Sequence, residues 1–192
     1  QFPRLADTVN EGEFLIPRLN RDQRKEAIVG PVKVAAGEIT DRLLLRLLND
    51  IGDDPDQLPI LQHALMRTWD LFEERGGGGA LDLEYYQTTG GMGEALSRHA
   101  DEVYSALPDD EHKRIAEKLF KSLTEKVDAN RGIRRPMQLA ELHEICGGEE
   151  SNLREVLNAF RKTGCTFLMP AGEAEIKIKT VIDISHESLM RA

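Results

Sequence analysis

The chain has 192 residues and a mass of 21.6 kDa, which allows one domain or two small ones. With 34 Asp and Glu against 25 Lys and Arg, its formal net charge is −9, so it does not coat nucleic acid or an anionic membrane by bulk charge. A hydrophobic fraction of 40% supports a buried core and argues against global disorder, and 24 Leu with only 5% aromatic residues point to helices rather than a sandwich or barrel.

Residues 1–19 show no sustained helical period. Asn20 with Gln23 three positions on is a capping-box pattern, and predicts a helix to about Ile28 that stops before Gly30-Pro31. Thr40 opens a second helix whose Leu43, Leu44, Leu45, Leu47, Leu48 and Ile51 leave few polar faces, so it is expected to be largely buried, ending at Gly52. Asp54-Pro55 reads as a cap and first-turn proline. The helix after it carries Leu58, Leu61, Leu65, Trp69 and Phe72 at helical spacing and stops at the four glycines 76–79. A short helix near Leu83–Gln87 and a longer one from about Glu94 to Leu107 complete a bundle.

Pro108-Asp109-Asp110 is the best internal boundary. Residues 1–108 hold 19 acidic and 11 basic side chains, and residues 109–192 hold 15 and 14. A helix over about 110–126 follows, then a short one with Leu139, Leu142 and Ile145 closed by Gly147-Gly148. A third carries Leu153, Val156, Leu157 and Phe160 and closes at Gly164. Strand-like runs at 166–169 and 176–184, joined by a turn beginning at Pro170, form a β-hairpin. Three helices and then a hairpin is the order of a winged helix. The expected fold is mainly α: a helical bundle followed by a winged-helix domain with a small β-hairpin. Ser185 can cap one more helix. There is no internal repeat.

No apolar run reaches the length of a membrane span. Two cysteines, Cys146 and Cys165, make no disulfide framework and suit a reducing, cytoplasmic compartment. The start Gln1-Phe2-Pro3-Arg4 has neither Met nor a signal-peptide pattern, so the chain is expected to be a piece of a longer protein.

Candidate chemistry is sparse. Thr89–Gly93 and the tetraglycine lack the Lys-Ser/Thr that a phosphate loop needs, and read as helix ends or linkers. His143 and Cys146 have a legal spacing for metal ligands on a helix, but a structural zinc site wants two such pairs, and Cys146 reads as a buried thiol. His186-Glu187 lacks the second His of a zincin motif, because position 190 is Met. No metal site and no catalytic residue is expected. The third helix of the second half carries Glu149, Glu150 and Glu155 against Arg154, Arg161 and Lys162, without the basic excess usual in a DNA-recognition helix. Arg131, Arg134 and Arg135 form a local basic cluster, with Lys177 and Lys179 in the wing, as possible contacts to DNA or a partner.

Four stretches carry a resemblance: Val9–Leu19, Asp53–Leu65, Gly90-Gly91-Met92 and Ile184–Leu189. In this order they resemble the C-terminal part of the nucleotide-binding module of bacterial STAND NTPases, signal-transduction ATPases often fused to WD repeats. The resemblance implies the tail of a P-loop core (residues 1–20), a helical lid (21–108) and a winged helix (109–192), closing over ATP or ADP with magnesium held by a core that lies upstream. It places Pro59 near the adenine, although Gln57 stands where related members carry Gly, and places His186 near the β-phosphate of ADP. Imidazole suits that role, since it donates to phosphate and titrates near neutrality. The implied partners are the P-loop core of the same chain and a downstream repeat or effector domain. The 192 residues alone are expected to bind no nucleotide and hydrolyse no ATP, whereas the full-length protein is expected to be a slow ATPase. Two other readings stay open: a winged-helix transcription regulator with a helical effector domain, and a protein-interaction module.

Overall fold

Side-chain caps set where the first helices begin. In a computed structural model, which describes residues 18–52, 57–128 and 131–185, helix α1 (Arg21–Val34) starts on the expected capping box. Asn20 accepts from the Gln23 amide at 2.9 Å, and Gln23 accepts in return from the Asn20 amide at 2.9 Å. The helix does not stop before Gly30-Pro31 as expected but runs through the proline to Val34. Gly30 has no Cβ to meet the proline ring, and a Cβ there would meet no other described atom within 4 Å. Ile28 and Val32 are buried one turn apart, and their burial offsets the backbone hydrogen bond the proline removes.

A two-residue parallel ladder pairs β1 (Glu38–Ile39) with β2 (Ala80–Leu81). Helices α2 (Asp41–Asp50) and α3 (Gln57–Glu74) lie between them in sequence. Thr40 caps α2 and donates to Asp82 Oδ1 at 2.7 Å. Asp82 also pairs with Arg42 and caps α4 (Leu83–Thr88), accepting from the Leu83 amide. The Arg42 guanidinium and the Thr40 hydroxyl hold the Asp82 carboxyl well below the usual carboxylate range. Helix α2 is less buried than its composition suggests. Leu43, Leu44, Leu47 and Leu48 are buried, but Leu45 is 54% exposed, because five leucines in a run of six cannot all share one helical face. Helix α3 ends before the four glycines, as expected. Its expected Asp54-Pro55 start lies outside the described residues, as do residues 1–17.

Helix α5 (Gly91–Ser105) begins three residues before the expected Glu94. Helix α6 (Asp110–Ser122) is shorter than expected. The remainder of the predicted 110–126 helix is instead β3 (Thr124–Asp128), which pairs antiparallel with β4 (Arg131–Arg134). Thr124 marks the change: its hydroxyl turns back onto the Phe120 carbonyl at 3.0 Å, and Thr124, Val127 and Ile133 are β-branched. Then follow β5 (Met137–Gln138), α7 (Leu139–Cys146), α8 (Glu150–Arg161), β6 (Leu168–Met169) and β7 (Val181–Ile184). The last three strands form an antiparallel sheet in the order β5-β7-β6. The expected strand over 176–184 keeps only its last four residues. Its first part turns, with the Ile178 and Thr180 carbonyls accepting from the Ala140 and Leu139 amides at the start of α7. On α7 the expected Ile145 is exposed, and Cys146 takes its place on the buried face.

The buried side chains form two clusters. One is built on Ile28, Leu43, Leu47, Leu61, Phe72 and Tyr86, the other on Ile115, Leu119, Leu139, Leu153, Leu157, Phe160 and Phe167. Helix α5 belongs to both, with Ala95 in the first and Val103 in the second. The result is a mainly helical protein with a few small sheets.

Candidate functional site

Pro59 lies in the first described turn of α3, where a missing amide hydrogen costs no helical bond. Pro59, Gln62, His63 and Met66 stand at helical spacings of three and four and share one face. That face lines a cleft of about 430 Å³. Leu96 of α5 also lines it, as do Thr166, Phe167, Met169, Ala171 and Ser185 from the second half of the chain. The Ser185 amide donates to the Phe167 carbonyl at 2.9 Å, which fixes the end of β7 beside β6. His186, the second residue the sequence points to, lies outside the described residues. Its neighbour Ser185 and Pro59 thus border the same cleft, joined by no sequence-local contact.

His63 lines the cleft, and a second imidazole, the buried His99, lies against it. His99 Nδ1 lies 3.3 Å from His63 Nε2, and both rings stack near Phe167, with centroids 5.1–5.6 Å apart. Burial, then the Arg67 charge, lowers both histidines to about 4, so both are neutral at pH 7. Apolar side chains dominate the lining and no Lys or Arg is among it. Such a cleft suits a flat, weakly polar group, with the Gln62, Thr166 and Ser185 side chains to orient it. It offers no cation to a phosphate.

The proposed basic contacts are dispersed. Arg134 pairs with Asp183 at 3.2 Å and donates to the Ile184 carbonyl, at one end of β7. Lys177 and Lys179 are exposed in the turn leading to the other end. Arg135 is exposed, and the Arg131 side chain lies outside what is described. Helix α8 uses its arginines inward. Arg154 pairs with Glu150, and Arg161 is 2% exposed, donating to the Pro170 and Ala174 carbonyls at 2.8 Å and to Asn158 at 3.0 Å. Arg161 therefore leaves the set of surface charges in which the sequence placed it.

The glycine and cysteine motifs are structural. Gly90, at φ +90°, joins α4 to α5, and a Cβ there would meet Glu94 Cβ at 2.7 Å. Beside it the Tyr86 hydroxyl accepts from the Met92 amide at 3.0 Å and donates to Asp50 at 2.8 Å. Cys146 is buried against the Ile115 carbonyl, and burial pushes its thiol up. His143 Nε2 lies 3.1 Å from the Gly148 carbonyl. Among the described residues no three His, Cys, Asp or Glu side chains gather where they could hold a metal ion, and no helix is long and apolar enough to cross a membrane.

His63, His99, Phe167 and the buried Arg161 escape sequence reading as a group. Only His63, four residues after Pro59, carried a sequence signal; His99 and Phe167 meet it through tertiary folding, and Arg161 is buried on the carbonyls of Pro170 and Ala174.

No curated protein and no solved structure matches the chain. The model of the family described as novel STAND NTPase 1 matches residues 1–192, the same family type that the four sequence stretches resemble, and the chain belongs to it.

Proposed function

We propose that this chain is the lid and winged-helix part of an ATP/ADP-controlled switch in signal transduction. The observation that carries the reading is that Pro59 and Ser185, from opposite halves of the chain, line one cleft. The order α6-β3-β4-β5-α7-α8-β6-β7, in which a β3-β4 hairpin is inserted after the first helix, and the β5-β7-β6 sheet support the winged-helix assignment. The apolar lining fits a purine base. The phosphates and their magnesium ion need a cationic cradle, which in this reading comes from a P-loop core elsewhere in the protein. The bound nucleotide supplies a phosphate chain whose length differs between the two states. With nucleotide bound, Pro59 and Met66 would pack against the base, Phe167 would exclude water, and His186 would donate to the β-phosphate. Contacts made to ADP and lost with ATP set how far the equilibrium moves.

The DNA-regulator alternative draws no support from α8, whose Arg154 and Arg161 are engaged within the chain.

Methyl NMR of methionine-labelled protein, carrying both this chain and its P-loop core, tests the reading. Adding ADP shifts Met66 and Met169 and leaves Met92 and Met137 in place. Shifts confined to Met92 or Met137 contradict it. The 192 residues alone hydrolyse no ATP above a His186→Ala control.

A further inference from the structure

The turn from Ala106 to Asp109 links α5, which reaches both buried clusters, to α6, which lies in the second. Asp109 ends that turn as the N-cap of α6. One of its oxygens, Oδ1, accepts twice from the same residue: from the His112 amide at 3.0 Å and from His112 Nδ1 at 2.8 Å. The second contact fixes a hydrogen on Nδ1, because a carboxylate has none to give. The other ring nitrogen, Nε2, is buried and lacks an aligned hydrogen bond, yet lies 3.3 Å from Glu155 Oε2 on α8. The His112 side chain is 8% exposed, while that of Glu155 is 63% exposed.

This geometry has one electrostatically consistent state. With Nδ1 protonated and Nε2 bare, a lone pair and a carboxylate oxygen face each other at 3.3 Å, and the buried nitrogen has no partner. With Nε2 also protonated, the ring is a cation between two carboxylates. We propose that Asp109, His112 and Glu155 form a proton-dependent clamp that holds the start of α6 against α8, next to the turn that joins α5 to α6. Losing one proton from Nε2 opens it: Nδ1 stays on Asp109, and Glu155, already largely in solvent, is free to leave.

The surroundings agree with this sign. A cleft of about 570 Å³ beside the ring is bordered by Glu155 of α8, by Lys162 just past its end, and by Glu173 from the segment after β6. From α5 and the turn come Val103, Ala106, Leu107 and Pro108, none of them charged. On the α7 side Lys118 of α6 is turned away, its ammonium on the Cys146 carbonyl at 2.9 Å. The two carboxylates in contact with the ring are those of Asp109 and Glu155. The Asp109 hydrogen bond, and then Glu155, raise the imidazole above its ordinary value. The clamp does not depend on nucleotide and acts on a part of the fold remote from Pro59 in sequence.

The test is a side-chain NMR titration of the five histidines in the 192-residue protein from pH 5 to 9, with Glu155→Gln and Asp109→Asn, and a melting profile over the same range. Asn keeps the cap and removes the charge. In the parent protein His112 titrates above about 6.5, the ordinary histidine value, with Nδ1 protonated on both sides of the transition. In Glu155→Gln its midpoint falls by about half a unit or more, roughly a threefold loss of proton affinity. The melting temperature of the parent drops as pH rises through that midpoint, and the drop is smaller in Glu155→Gln. A His112 midpoint at or below 6.5, or one unmoved by both substitutions, overturns the clamp. So does a midpoint that moves without any change in the melting profile, which is an ion pair that holds nothing. Because Glu155 is exposed, its variant folds whether or not His112→Gln, used for assignment, does.

Discussion

His99 Nδ1 sits 3.3 Å from His63 Nε2, and the pair joins α3 and α5 of the bundle to Phe167 at the edge of the second core. One neutral ring donates to the other, an arrangement that a proton on both would destroy. Burial and the Arg67 charge lower both groups to about 4, whereas in the unfolded chain they titrate near 6.5. A base with a depressed folded value binds more protons when unfolded. The stabilisation is therefore complete above about pH 6.5 and is lost as pH falls toward 4. Urea unfolding between these limits should show a loss of about 1–3 kcal/mol, and His99→Gln should flatten the slope. A flat profile in the parent protein contradicts the assignment. The window lies below that of His112 and has the opposite sign, so one pH series separates the two.

Arg161 is a buried cation with three internal acceptors, two of them backbone carbonyls of the segment between β6 and β7. Replacing it with Leu strands those carbonyls and should cost about 2–4 kcal/mol in denaturant unfolding. Arg161→Lys should recover only part of this, because one ammonium cannot reproduce the planar fork that spans Pro170 and Ala174. Full stability in Arg161→Leu would mean that the contacts contribute nothing.

The end of α1 gives a pair of opposite expectations. Ala36 holds φ +58°, which strains any residue with a Cβ, and it is exposed. Ala36→Gly should stabilise the protein by up to about 1 kcal/mol. At Gly37 next to it, a Cβ would stand 2.8 Å from the Trp69 ring. Gly37→Ala should destabilise by about 1–3 kcal/mol through overpacking, and should perturb the fluorescence of Trp69, the single tryptophan. Equal melting temperatures for the two variants contradict this.

The caps Asn20 and Thr40 were legible in the sequence, whereas those at Asp82 and Asp109 were not read there. Asn20, Thr40, Asp82 and Asp109 each accept an amide of the first turn that follows. What else the sequence did not give away depended on distant partners. The passage of α1 through Pro31 depends on Val32 finding a core, and the β3-β4 hairpin on each strand finding the other. The shortening of β7 depends on its carbonyls being claimed by the start of α7. At the candidate site, Pro59 was singled out by motif, and its sharing a cleft with Ser185 came with the fold. The charge reading was refined in the same way. Its near-neutral second half holds a buried Arg161 and a paired Arg154, so a sum over residues overstated the free cations on α8.

The central claim is that contacts from this chain distinguish ADP from ATP. Calorimetric titration of both nucleotides into the protein carrying its P-loop core, with and without His186→Ala, tests it most directly. The account predicts a loss of about tenfold in ADP affinity with ATP affinity changed less than about twofold, a coupling of roughly 1.4 kcal/mol. Equal losses for the two nucleotides, or no loss for either, would contradict it.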